Sequence, residues 1–143
     1  MSHELLAELQ PIQEPAAQKR CILIVDDDQD QAETLAHCLH QQGFDAIVTL
    51  EGVPGLEWAV RNHPDLVLLD LRLPDASGLN ICERLVDSPE TCDIPVIIVS
   101  GLEREDIVRC CRAAGCRYFV RKPYDPNALL TLIEHALRPE LDA

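Results

Sequence analysis

Four carboxylates and one amine sit just beyond short apolar runs in this chain. Cys21–Val25 (CILIV) leads directly into Asp26, Asp27 and Asp28, and Leu66–Leu69 (LVLL) leads directly into Asp70. A third apolar stretch, Tyr118–Val120, is followed closely by Lys122 and Pro123. If each run is a parallel strand, these charges collect at the carboxyl ends of one sheet, the edge at which open α/β sheets bind ligands. Carboxylates gathered there repel one another unless a hard cation neutralises them. The pattern points to a Mg2+ site built around one special aspartate.

Periodicity supplies the elements that must position these groups. After a first strand at Cys21–Val25, Asp28 and Gln31 have capping-box spacing for a helix start. Ala32, Leu35, Ala36 and Leu39 then trace one helical face, which Gly43 stops. Asp45–Leu50 reads as a second strand, and a helix weakened by Gly55 spans about Val53–Asn62, with Pro54 in its first turn. Leu66–Leu69 is continuously apolar, as a strand covered on both faces must be. Pro74, Asp75 and Gly78 mark a loop, and Leu79, Cys82, Leu85 and Val86 give a third helix. Ile94–Val99 is the fourth strand, with Pro95 tolerable near its start, and Arg104–Ala114 the fourth helix, ended by Gly115. Tyr118–Val120 is the core of a fifth strand. Asp125 and Pro126 are an N-cap and N1 pair, and Leu129, Leu132, Ile133 and Ala136 form the apolar face of the last helix.

Strands alternating with helices imply βα units, right-handed crossovers and helices on both sheet faces. The expected fold is α/β: a doubly wound five-stranded parallel sheet of order 2-1-3-4-5, flavodoxin-like (βα)5. In that order the first and third strands flank the switch point, which puts Asp26 and Asp27 beside Asp70. Ser100, after Val99, and Lys122 fall in the same crevice.

The 143 residues suit one domain, and 47% apolar content is enough for a core. A net charge of −13 disfavours direct binding of nucleic acid or anionic membranes. No apolar run approaches a membrane span, and the N-terminus lacks the pattern of a signal peptide, so a cytoplasmic location is expected. The seven cysteines are odd in number and include no C-x-x-C; they read as reduced structural thiols rather than disulfides or zinc ligands. The five histidines have no ligand spacing; His37 and His40 read as surface residues. Trp58 reads as half-buried packing.

The segments ILIVDDD (Ile22–Asp28), DLVLLDLRLPDASGL (Asp65–Leu79), IPVIIVSG (Ile94–Gly101) and YFVRKPYDP (Tyr118–Pro126) keep an order and spacing that resemble the receiver domain of bacterial two-component response regulators. The resemblance covers about residues 20–138 and implies a stand-alone, chemotaxis-regulator-like receiver. It implies a domain at 21–138 and a C-terminal tail at 139–143; residues 1–20, polar and holding Pro11 and Pro15, read as a mobile N-terminal extension in preference to a short helix at Leu5–Leu9. On this reading no residues remain after Pro139 for an output domain. Asp70 matches the phosphoacceptor. Asp26 and Asp27 match the acidic pair that holds Mg2+, joined by Asp70 and the backbone carbonyl of Arg72. Lys122 matches the phosphate-binding lysine and Ser100 the switch hydroxyl. Phe119 stands at the aromatic switch position, with Tyr118 one residue before the usual place of a tyrosine. The implied phosphodonor is a sensor histidine kinase or a histidine phosphotransfer protein. The implied output is a partner protein or a homodimer through the helix 4–strand 5–helix 5 face, around Arg112, Arg117 and Arg121.

Blander readings stand beside these. Asp28 suits a helix cap better than a metal ligand. Ser100 could be a strand-end cap, Phe119 simple core, and the three arginines ordinary surface charges. Two other functions compete: a binding module that keeps the fold but signals without phosphate, and a phosphohydrolase of the haloacid-dehalogenase type. The second needs another aspartate two positions after the nucleophile, where this chain has Arg72. No Gly-rich loop follows any strand, which argues against nucleotide binding.

Overall fold

The computed structural model describes residues 19–138. The expectations for the N-terminal extension, including a helix at Leu5–Leu9, and for the tail at 139–143 lie outside the described residues. Five strands, β1 (Cys21–Val25), β2 (Asp45–Thr49), β3 (Leu66–Leu69), β4 (Val96–Ser100) and β5 (Tyr118–Arg121), alternate with five helices. The helices are α1 (Gln29–Gln41), α2 (Gly52–Asn62), α3 (Gly78–Asp87), α4 (Ile107–Ala113) and α5 (Pro126–Leu137). All strand pairs are parallel and the order is β2-β1-β3-β4-β5. The expected architecture is therefore present.

Alternation along each strand divides the core in two. Leu23, Val25, Val67, Leu69, Val96 and Ile98 face one side, where Leu56 and Ala59 of α2, Ile81 and Leu85 of α3, and Ile107 of α4 cover them. Ile22, Ile24, Leu66, Leu68, Ile97 and Val99 face the other side, under Ala32, Ala36 and Leu39 of α1 and Leu129 and Ile133 of α5. Burial of each such aliphatic side chain contributes about 1.5–3 kcal/mol, so the central strands carry much of the hydrophobic stabilisation. Trp58 is half-buried against the first of these cores, as its place on α2 suggested. All seven cysteines are free thiols. Burial pushes Cys82 up to about 12 and Cys111 up to about 11, which keeps both protonated and unreactive. Among the described residues no helix is long and apolar enough to cross a membrane.

Several boundaries differ from the sequence reading; β4 runs on to include Ser100, and α4 ends at Ala113 rather than Ala114. α4 begins at Ile107 rather than Arg104. Arg104 Nε donates to Asp106 Oδ1 at 2.6 Å, a pairing between residues two apart that a helix surface does not allow. β4 begins at Val96 rather than Ile94, because Ile94 N–H closes a turn on the Thr91 carbonyl and Pro95 has no N–H to give. β2 ends at Thr49 rather than Leu50. His40 is exposed, but its ring Nε2 lies 3.2 Å from the Ala46 backbone N–H and accepts from it.

Two residues fasten the loop after β3 to its surroundings. No side chain of its own caps α2. Instead Asp75, from the loop, accepts from the Gly52 N–H at 2.7 Å and the Val53 N–H at 2.8 Å. These two bonds hold the Asp75 carboxyl below the usual carboxylate range. Gly78 opens α3 against the backbone of the same loop: a Cβ there would collide with the Asp70 carbonyl oxygen and lie 2.6 Å from Leu71 Cα. Gly55 answers to a similar constraint, since a Cβ would come within 2.9 Å of Val25 Cγ2; α2 keeps a poor helix former so that it can approach β1.

Gly78→Ala should lower stability by about 2–3 kcal/mol in urea unfolding, because backbone and not a flexible side chain must move. Asp75→Ala should lower the thermal midpoint at pH 7. Because the native carboxyl is depressed, its stabilisation is present above its unfolded pKa and is lost as pH falls through the native one. The deficit of the variant should therefore shrink in melts recorded below the ordinary carboxylate range.

Candidate functional site

Ladder hydrogen bonds run one residue past the strand ends, and the site begins at that extra residue. Asp26 N–H donates to the Thr49 carbonyl at 3.1 Å, Asp70 N–H to the Val25 carbonyl at 2.9 Å, and Lys122 N–H to the Ser100 carbonyl at 2.9 Å. Val25 pairs with Leu69 in register, so Asp26 and Asp70 leave the sheet as neighbours. Side-chain oxygens of Asp26, Asp27 and Asp70 all lie within 4.8 Å of one another. Asp26 is buried, Asp70 half-buried and Asp27 exposed.

Lys122 ties this cluster together. Its Nζ donates to Asp26 Oδ2 and to Asp70 Oδ2, each at 3.0 Å. With side-chain exposures of 20% for Lys122, 12% for Asp26 and 11% for Asp70, the charges are shielded from solvent screening more than a surface pair is. Burial works against the ammonium, but hydrogen bonds from it to Asp26 and Asp70, and their charges, outweigh that cost and raise its pKa. The Lys122–Pro123 peptide bond is cis. The remaining carboxylate oxygens are held by backbone: Asp26 Oδ1 accepts from Asp28 N–H at 3.0 Å, and Asp70 Oδ1 from Arg72 N–H at 3.1 Å.

Asp28 stands outside the cluster and caps α1, its Oδ1 accepting from Gln31 N–H at 3.1 Å. Ser100 is 1% exposed, and its Oγ accepts from Leu102 N–H at 3.1 Å. Phe119 is half-buried on the α3–α4 side of the sheet, and the Arg121 guanidinium lies 5.5 Å from its ring centroid. Arg121 also donates to the Leu102 carbonyl at 3.1 Å. Arg112, Arg117 and Arg121 are all exposed.

The donor set fits a hard divalent cation. It consists of oxygens only, with no imidazole or thiolate to favour zinc. Three carboxylates against one ammonium leave two negative charges, which a divalent ion would balance. A receptive pocket for an anionic group with such an ion is the chemistry this arrangement can perform.

Sequence reasoning missed Gln31. Its spacing from Asp28 suggested a reciprocal capping box, in which the glutamine side chain turns back to the cap. The side chain instead accepts from Lys122 Nζ at 3.1 Å, and only the backbone half of the box forms. Asp75 was read as an ordinary loop residue. The absence of Ser, Thr, Asp or Asn just before Gly52 was the available signal that α2 is capped from elsewhere.

Comparison with known proteins agrees with this geometry. The family model for the response regulator receiver domain matches residues 22–134. The polar-differentiation response regulator DivK of Brucella ovis is 32% identical over 118 residues, covering 82% of this chain and 96% of that protein. The DNA-binding dual master transcriptional regulator RpaA of Synechocystis sp. is 33% identical over 118 residues; there the chain spans 82% of its own length but 48% of the relative's. A solved receiver domain protein, CheY-like, from Methanospirillum hungatei JF-1 superposes with a TM-score of 0.79 at 26% identity, covering 84% of this chain and 94% of that one. The sheet order, the acidic edge and the match over residues 22–134 converge: the chain belongs to the receiver domain family of two-component response regulators.

Proposed function

We propose that this protein accepts a phosphoryl group on Asp70 from the phosphohistidine of a sensor histidine kinase or histidine phosphotransfer protein, and signals through altered protein contacts. The observation that carries the reading is the meeting of Asp26, Asp27 and Asp70 within 4.8 Å, with Lys122 at 3.0 Å from two of them. An Asp70 carboxylate oxygen forms a bond to phosphorus while the N–P bond of the donor breaks. Its electron pair stays on the imidazole, and the product is an acyl phosphate. Asp26, Asp27, Asp70 and the Arg72 backbone carbonyl would hold Mg2+, which supplies neutralisation of phosphoryl charge when bound. Lys122, now on Asp26 and Asp70, would offer ammonium donors to a phosphoryl oxygen.

Ser100 is the switch hydroxyl on this reading. To donate to the phosphoryl group its Oγ would swing toward Asp70 from its present place, where it accepts from the Leu102 N–H. Phe119 follows by turning inward, and the surface formed by α4, β5 and α5 changes shape for an output protein or a second copy. The protein is a signalling phosphoacceptor, and its own dephosphorylation is slow. Phosphohydrolase turnover of small esters is not expected, since Leu71 and Arg72 provide no second acid after Asp70.

Incubation with acetyl phosphate and Mg2+ should add one phosphoryl group by intact-mass measurement, and Asp70→Asn should abolish it; unchanged labelling of that variant would remove the assignment. Calorimetric titration should show saturable Mg2+ binding that Asp27→Ala weakens by about tenfold or more. No saturable binding by the native chain would favour the phosphate-independent module instead.

A further inference from the structure

We infer that Gln31 is the positioning residue that holds Lys122 in place when a metal ion engages the carboxylates. The inference rests on the phosphoacceptor reading of Asp70 and deepens it. An ammonium has three donors. In this structure Lys122 Nζ has three acceptors: Asp26 Oδ2, Asp70 Oδ2 and Gln31 Oε1, at 3.0, 3.0 and 3.1 Å. Two of these belong to the carboxylate cluster. A divalent ion drawn into that cluster competes for their oxygens and repels the ammonium. Gln31 is neutral, stands outside the cluster and is the one acceptor of the three whose hold on Lys122 a cation does not oppose.

The placement of Gln31 suits the role. Its backbone N–H is pinned to Asp28 Oδ1 at 3.1 Å, so the side chain projects from a fixed point in the first turn of α1. It lines both the acidic pocket and the neighbouring groove of about 640 Å3 between α1 and α5, whose walls include Leu35, Leu129 and Ile133. The residue is exposed, and its side-chain oxygen nevertheless reaches Lys122 Nζ at 3.1 Å. The amide makes sense as an oxygen aimed at Lys122. Held in this way, the ammonium stays beside the pocket for a phosphoryl oxygen and does not drift to solvent.

The experiment measures phosphorylation from acetyl phosphate at saturating Mg2+ and donor, Mg2+ affinity by calorimetry, and thermal midpoint, for the native chain, Gln31→Leu and Gln31→Glu. Loss of one charged hydrogen bond predicts a maximal rate about five- to tenfold lower for Gln31→Leu, with an unchanged or higher midpoint. Its Mg2+ affinity should change by less than about twofold, because no proposed ligand is touched. Gln31→Glu keeps an acceptor oxygen and should retain the native rate within about twofold. A native rate in Gln31→Leu, or equal losses in both variants, would overturn the positioning role. Absence of Asp70-dependent labelling in the native chain would instead overturn the phosphoacceptor reading beneath it.

Discussion

Mutual repulsion among three carboxylates, held together by backbone register, is the constraint on which the rest of this molecule turns. Val25 opposite Leu69 fixes Asp26 beside Asp70, and neither can retreat, because each backbone N–H is committed to the neighbouring strand. The charges are partly shielded, so water alone relieves little of the strain. Lys122 relieves part of it, at the end of β5, far along the chain but next to Ser100 in the sheet. The fold thus stores an electrostatic demand at one edge and leaves two charges' worth of it unmet.

Everything below that edge serves to keep it rigid. Two apolar cores clamp the sheet from both faces, with β1, β3 and β4 almost wholly enclosed. The loop after Asp70 has fastenings of its own. Gly78 lets α3 pass against the loop's backbone, and Asp75 fastens it to the start of α2. Arg72 N–H returns to Asp70 Oδ1 and sets the orientation of that carboxylate.

Most of this architecture was legible in the sequence. Buried parallel strands must be apolar on both faces, and CILIV, LVLL and PVIIV show it without ambiguity. Their polar successors mark the functional edge for the same reason. Less legible were features set by side chains meeting across the chain. The start of α4 was misplaced because Arg104 prefers Asp106 to a helical turn. Gln31 was assigned to a local cap, since nothing in a short window reveals that a lysine ninety-one residues away claims its oxygen. Periodicity reports burial, and these are pairings.

Leu102 is gripped at both ends. Its N–H is held by the Ser100 hydroxyl and its carbonyl by the Arg121 guanidinium, which itself rests over Phe119. Leu102 therefore joins a hydroxyl at the end of β4 to a guanidinium and an aromatic ring at β5, so the backbone that leads from the acidic edge toward α4 is tied through one residue to two neighbouring strands.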